Sequence, residues 1–380
     1  MRTHTTTVRV LVAIFGVLLF AGCGEKTVSI GFAGPLTGTY SDLGVQGRNG
    51  ATLAVEDLAD APCTEGYRFE LLARDDRNSP EVAREVGREF AELGVAAVVG
   101  HMTSTASIAA LAVSDAAGLV YVSPTASSPA LSRRDDSLFR VQGATDAVAA
   151  NLGTFAGEAL GLRRLHTIRD AANSVYADPF NHRFTEAYRA TGGSVAEEIV
   201  FNAEGRPRWR RISEILATGA VDGVLVIASS RDTARIARIL EDAAPGARIL
   251  SSGWGATEEL LSDGGEAVEG IIAGRTVVRD ESASGFRSFE ETYRARFGRS
   301  PSFAAVQAYD ATRVLCRALA ETRGSPRGLH GALLEIEDFP GIYGPISFDE
   351  FGDVVSTTTI LEVGNGRFVP YGNGRARAHD

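Results

Sequence analysis

Apolar residues along this chain fall into short runs that alternate with longer stretches in which they recur every third or fourth position. Runs suited to strands lie at 28–33, 68–74, 96–100 and 119–123, and again at 165–168, 195–201, 223–228, 248–251 and 270–277. Between them, the three-and-four spacing predicts helices over 81–93, 104–117, 146–160 and 232–243. Several runs, such as AAVVG at 96–100 and GVLVIA at 223–228, are apolar throughout rather than alternating. Such strands are covered on both faces, as in a parallel sheet sandwiched between helices. The expected fold class is therefore α/β, with parallel, doubly wound sheets.

The alternation runs through two cycles, about 27–143 and about 144–273. Helical patterns follow at 284–297 and 303–322, and a β-rich stretch at 345–371. A chain of 380 residues exceeds what one core usually serves. Two lobes joined by several crossovers are expected: 26–143 plus 275–345, and 144–274 plus 346–371, with 372–380 as a tail. No low-complexity linker separates them.

The first 22 residues change the picture. Arg2 and Arg9 form a basic start, and Val10 to Ala21 is uninterrupted by charge. That stretch is too short to cross a bilayer but suits a secretion signal. Phe20-Ala21-Gly22-Cys23 resembles the lipobox of bacterial lipoproteins, which implies cleavage and acylation at Cys23. Residues beyond it are expected to work outside the cytoplasm, held to the membrane only through that anchor. The net charge of −10 argues against a nucleic-acid partner. Cys63 and Cys316 are the other two cysteines, and the sequence leaves their pairing open.

An ordered set of segments carries a family resemblance. Residues 30–38 (IGFAGPLTG), 44–51 (GVQGRNGA), 74–80 (RDDRNSP), 98–107 (VVGHMTSTAS) and 121–129 (YVSPTASSP) are similar to the opening half of type I periplasmic binding proteins of the leucine/isoleucine/valine-binding family. Gly253-Trp254-Gly255, the AVEG of 267–270, the VQAYD of 306–310 and the GPISF of 344–348 follow in the family's order. The resemblance implies a periplasmic or cell-envelope protein with two lobes joined by a hinge. It implies delivery of an amino acid or related small carboxylate to the permease and ATPase subunits of an ABC importer. The same fold serving as a ligand sensor for a membrane partner is the alternative.

The loops make physical sense as a carboxylate site. Residues 101–107 lead from an apolar strand into a helix, whose first amides, dipole and hydroxyls can hold an anion without lysine or arginine. The simpler reading is that Ser104 or Thr105 caps the helix. A second hydroxyl-rich loop, 123–128, follows the next strand at the same sheet edge, where open α/β sheets bind ligands. The resemblance implies that Ser104 and Ser127 grip a carboxylate with Thr105 beside them, that Thr125 offers its carbonyl to an ammonium, and that Tyr176 covers the ligand. The family's acidic partner for the ammonium falls at Trp254, and an aromatic near the first loop falls at Leu43 or is replaced by Tyr40. Asp178, Asp232 and Glu258 are the candidates for the missing acid.

Nothing points to turnover. The six histidines form no metal-spaced pair, and there is no HExxH, CxxC, G-x-S-x-G, Walker A or G-x-G-x-x-G pattern. No enzyme activity, metal or cofactor is expected, and His101 is expected to be structural or to line the pocket. If Cys23 is the anchor, Cys23→Ser should move the protein from the membrane fraction to the soluble one. Unchanged fractionation would remove the lipoprotein expectation.

Overall fold

The computed structural model describes residues 26–59, 67–205, 207–218, 220–276, 284–354 and 358–372. The signal segment, Cys23 and Cys63 lie outside these. Five strands build the first sheet: β1 (Lys26–Gly34), β2 (Tyr67–Asp75), β3 (Ala97–Val99), β4 (Tyr121–Ser123) and β5 (Leu138–Arg140), in the order β2-β1-β3-β4-β5. All its pairings are parallel. The intervening helices are α1 (Ser41–Leu58), α2 (Pro80–Leu93) and α3 (Ser104–Ala117). Local chemistry sets their ends. Ser79 caps α2 by accepting from Val82 N, Pro80 occupies the first turn, and Gly94 closes it at φ 66°.

The second sheet contains β6 (Arg164–Asp170), β7 (Ser194–Phe201), β8 (Gly223–Ile227), β9 (Arg248–Ser252), β10 (Ile272–Arg275), β13 (Thr359–Gly364) and β14 (Arg367–Pro370). Its order is β14-β13-β10-β9-β8-β6-β7. The β6 to β10 pairings are parallel, whereas β13 and β14 add antiparallel at one edge. Here lie α4 (Asp146–Glu158), α5 (Ser174–Ala190), α6 (Trp209–Leu216), α7 (Ser230–Ala243) and α8 (Glu258–Gly264). Then α9 (Ser284–Phe297), α10 (Phe303–Glu321) and α11 (Leu329–Leu334) return to the first lobe, followed by the short pair β11 (Phe339–Pro340) and β12 (Pro345–Ile346). This is the α/β, two-sheet architecture expected. Among the described residues, no helix is long and apolar enough to cross a membrane.

The last crossover differs from the expected position at 346. Ile346 is buried in the first lobe's core, with Phe348 and Val354 packed against it. Arg140, at the end of β5 and only 1% exposed, binds the Asp353 carboxylate through Nε at 2.8 Å and Nη2 at 2.6 Å. A buried guanidinium needs such a partner, and this one holds residues 346–354 to the first lobe. The chain rejoins the second sheet at β13. Cys316 is buried in the same first core, on the apolar face of α10.

The α1 helix was not evident from periodicity, because Gly44, Gly47 and Gly50 interrupt it. Their spacing puts them on one buried face, where backbone or Met102 approaches too closely for a side chain. A Cβ at Gly50 would stand 2.0 Å from the carbonyl oxygen of Ala305 in α10. The helices meet through backbone contact that outweighs the low helix propensity of glycine. Gly50→Ala should therefore cost about 3 kcal/mol, the upper end for overpacking, measured by urea unfolding. Gly331→Ala, whose Cβ would meet open space in α11, should be neutral or stabilising.

Candidate functional site

Both sheets reverse their winding at an inner strand: β1 is flanked by β2 and β3, and β6 by β7 and β8. Loops leaving neighbouring strands diverge there and open a crevice at the strands' carboxyl ends. The two crevices face each other across a cleft enclosing about 710 Å³, part of it open to solvent. Residues from both lobes and from the connection between them line it, including Ser104, Thr125, Ser127, Tyr176 and Trp254.

The first wall is organised by Thr103. It caps α3, accepting from Ala106 N while donating to Asn78 Oδ1 at 2.7 Å. The cap is thus neither Ser104 nor Thr105. Of the first amides of α3, Thr105 N reaches Asn173 Oδ1 and Ser107 N reaches Thr103 O, which leaves Ser104 N without a partner among the described hydrogen bonds. Ser104 Oγ accepts from Ser128 N at 3.1 Å, so its own hydrogen is left to donate. Thr125 Oγ1 donates to Met102 O, and the Ser127 carbonyl is occupied by Thr145. Thr105 stands behind the lining, with its hydroxyl 3.1 Å from Asn173 Oδ1 of the other lobe.

The second wall is aromatic. Trp254, 7% exposed, meets Tyr176 edge-on at 5.7 Å and Tyr40 of the first lobe at 5.4 Å. Burial pushes the Tyr176 hydroxyl up to about 12, so it remains a neutral phenol at physiological pH. Tyr40 donates to Asp170 Oδ2, while Asp170 Oδ1 accepts from Ala172 N and Ala203 N at 3.0 Å each. Leu43 lines the cleft and Tyr40 stands behind it, against Trp254. Leu43, Met102, Val148 and Phe303 supply apolar surface.

At the connection between lobes, Gln307 Nε2 donates to Gln142 Oε1 at 2.8 Å, and Gln142 Nε2 donates to Thr276 Oγ1. The relay leaves the Thr276 hydroxyl hydrogen as a donor. Arg275, 7% exposed, lines the cleft beside it, with a guanidinium nitrogen donating to Ala256 O.

The three candidate acids lie elsewhere. Asp178 is exposed and paired with Arg169 at 2.7 Å. Asp232 is buried beside the Ser229 cap of α7, its carboxyl pushed up to about 6 by burial. Glu258 starts α8 and does not line the cleft. Asp42 and Glu259 line a separate small chamber that shares Leu43 and Trp254 with the cleft. Burial and the nearby Glu259 push Asp42 up to about 6. His101 is fully buried, with Nδ1 2.6 Å from Asp76 Oδ2 and its ring stacked on Tyr121.

A family model described as periplasmic binding protein matches residues 27–367. The chain belongs to the periplasmic binding protein family. The "Leu/Ile/Val-binding protein homolog 1" of Brucella abortus is 26% identical over 351 residues, covering 90% of this chain and 91% of that protein. A branched-chain amino acid transporter substrate binding protein from Streptococcus pneumoniae, solved with isoleucine, superposes with a TM-score of 0.82 at 24% identity, over 90% of this chain and 98% of its own. A solute binding protein from R. palustris, solved with benzoate, gives 0.82 at 19%, over 91% and 95%. The two-lobed fold is thus that of type I periplasmic binding proteins.

Within this periplasmic binding protein, five of the six residues singled out from sequence meet at one cleft, and Thr105 supports it from behind. Sequence reasoning missed Gln142, Asn173, Arg275, Thr276, Gln307 and Tyr343 as lining residues. Arg275 had a signal, an arginine inside an otherwise apolar strand. Gln307 had another, an amide on the apolar stripe of α10. If Ser104 holds a ligand carboxylate, Ser104→Ala loses a charge-assisted hydrogen bond of about 1.5–3 kcal/mol, roughly ten- to hundredfold in affinity by titration calorimetry. Binding within twofold of wild type would reduce Ser104 to a support for Ser128.

Proposed function

We propose that this chain is the extracytoplasmic solute receptor of an ABC importer, tethered by lipid at Cys23 and specific for an amino acid or a related small carboxylate. The single observation that carries this reading is the cleft, which gathers hydroxyl and amide donors from the first lobe, aromatic rings from the second, and Thr276 between them. A ligand held by both walls favours the closed arrangement only through its extra contacts there. Opening by hinge rotation would admit it, and the permease would read the closed lobes. The relatives' isoleucine and benzoate share a carboxylate beside an apolar group, which suits donors facing Leu43, Met102, Val148 and Phe303. Energy for transport belongs to the partner ATPase. On this reading the chain binds and releases its ligand unchanged.

A thermal-shift series of amino acids, amides and small carboxylates tests it. A binder at one hundred times its dissociation constant should add about 2.7 kcal/mol of stability. Tryptophan emission then locates the site, because Trp254 lines the cleft, whereas Trp209 packs against Phe201 at 5.4 Å and under Arg235 at 4.4 Å. Trp209 is half-buried there. Ligand should change the emission of wild type and of Trp209→Phe, but not of Trp254→Phe. A change that persists in Trp254→Phe and vanishes in Trp209→Phe would place the ligand elsewhere.

A further inference from the structure

We infer that the cleft selects a monocarboxylate lacking an α-ammonium group over the amino acid of the same carbon skeleton. This rests on the reading of the cleft as a solute site. An ammonium ion taken out of water needs acceptors, and a carboxylate is the strongest of these. Among the described lining residues there is no aspartate or glutamate, and the one that carries a full charge is Arg275.

The placement of the nearby acids reinforces this. Asp42 and Glu259 lie in the adjoining chamber, which Leu43 and Trp254 divide from the cleft, and each already faces an arginine. Asp42 is 2.8 Å from Arg299 and Glu259 is 3.3 Å from Arg231. Asp170 is filled by the Tyr40 hydroxyl and two backbone amides, and Asp232 by Ser229. At position 254, a tryptophan wedged between Tyr40 and Tyr176 presents ring surface instead of a carboxylate.

The polarity of the hydrogen bonds points the same way. Because Ser104 Oγ accepts from Ser128 N, its hydroxyl hydrogen is a donor. Because Gln142 donates to Thr276, that hydroxyl hydrogen is a donor too. With the Ser104 amide, these two hydroxyls offer hydrogens to an anion. Leu43, Met102, Val148, Tyr176, Trp254 and Phe303 add aromatic and aliphatic surface. The favoured ligand is therefore a carboxylate on an apolar or aromatic body.

Matched pairs test the inference on the full-length wild-type protein by titration calorimetry at pH 7.5. The probes are 3-phenylpropionate against L-phenylalanine and 4-methylpentanoate against L-leucine, with 2-phenylethylamine as the cation alone. Each carboxylate should bind at least tenfold more tightly than its amino acid, and the amine should not bind. A smaller ratio, or an amino acid that binds more tightly, overturns the inference and leaves the solute-receptor reading standing. If no carboxylate or amino acid binds, that reading falls and the inference with it. Trp254→Asp should move the ratio at least tenfold toward the amino acids. A folded Trp254→Asp protein with the wild-type ratio would show that position 254 does not set the preference. Should that variant fail to fold, the wild-type ratio decides alone.

Discussion

The Asp170 carboxylate is the joint on which the arrangement of the two lobes depends. It ends β6, accepts the amides of Ala172 and Ala203 within its own lobe, and takes the Tyr40 hydroxyl from the other. Burial and the Asp170 charge both raise the Tyr40 phenol, which therefore stays protonated and always able to donate. Hydrogen bonds to a charged group are among the stronger contributions available, at about 1.5–3 kcal/mol. This one fixes the aromatic ring against which Trp254 rests. The wall of the cleft and the contact between lobes are thus parts of one cluster.

Around that joint the lobes meet mainly through loops at strand ends. Asn78 Nδ2 lies 3.1 Å from both Ala172 O and Glu204 Oε1, Thr105 binds Asn173, and Ser128 donates to Val175 O. Each first-lobe group lies after one of the strands β2, β3 or β4, and the second-lobe groups follow β6 or β7. Parallel strands make this possible, because every carboxyl end in a sheet points the same way. Such contacts are polar and few compared with the two cores, a composition suited to lobes that separate without unfolding.

Polarity within the cleft follows from how its walls satisfy themselves. Thr103 spends its hydroxyl on capping α3 and binding Asn78, which frees Ser104 from the capping task. The Gln307–Gln142–Thr276 relay orients three side chains, two from the first lobe and Thr276 from the connection just after β10. Arg275 is held by Ala256 O and lies over the Phe368 ring at 4.5 Å. Fixed donors of this kind act on a ligand without reorganising when it arrives.

The sequence by itself determined the α/β class, the order of most strands and helices, and the two loops that end in Ser104 and Ser127. Those features are local: apolar runs, helical spacing and turn residues each act over a few positions. It did not reveal α1, because Gly44, Gly47 and Gly50 look like interruptions until α10 is laid against them. Nor did it place the return crossover, which waits on Arg140 finding Asp353 more than two hundred positions away. Separation in sequence also hid Gln142 and Gln307, which lie 165 positions apart, and Arg275 beside them. Each reads as an isolated polar residue in an apolar segment, and only tertiary packing made them neighbours. Tertiary structure also decided what Trp254 means. A tryptophan in a Gly-Trp-Gly turn could have filled a core, but Tyr40 and Tyr176 leave it at the edge of the cleft, where it meets whatever enters.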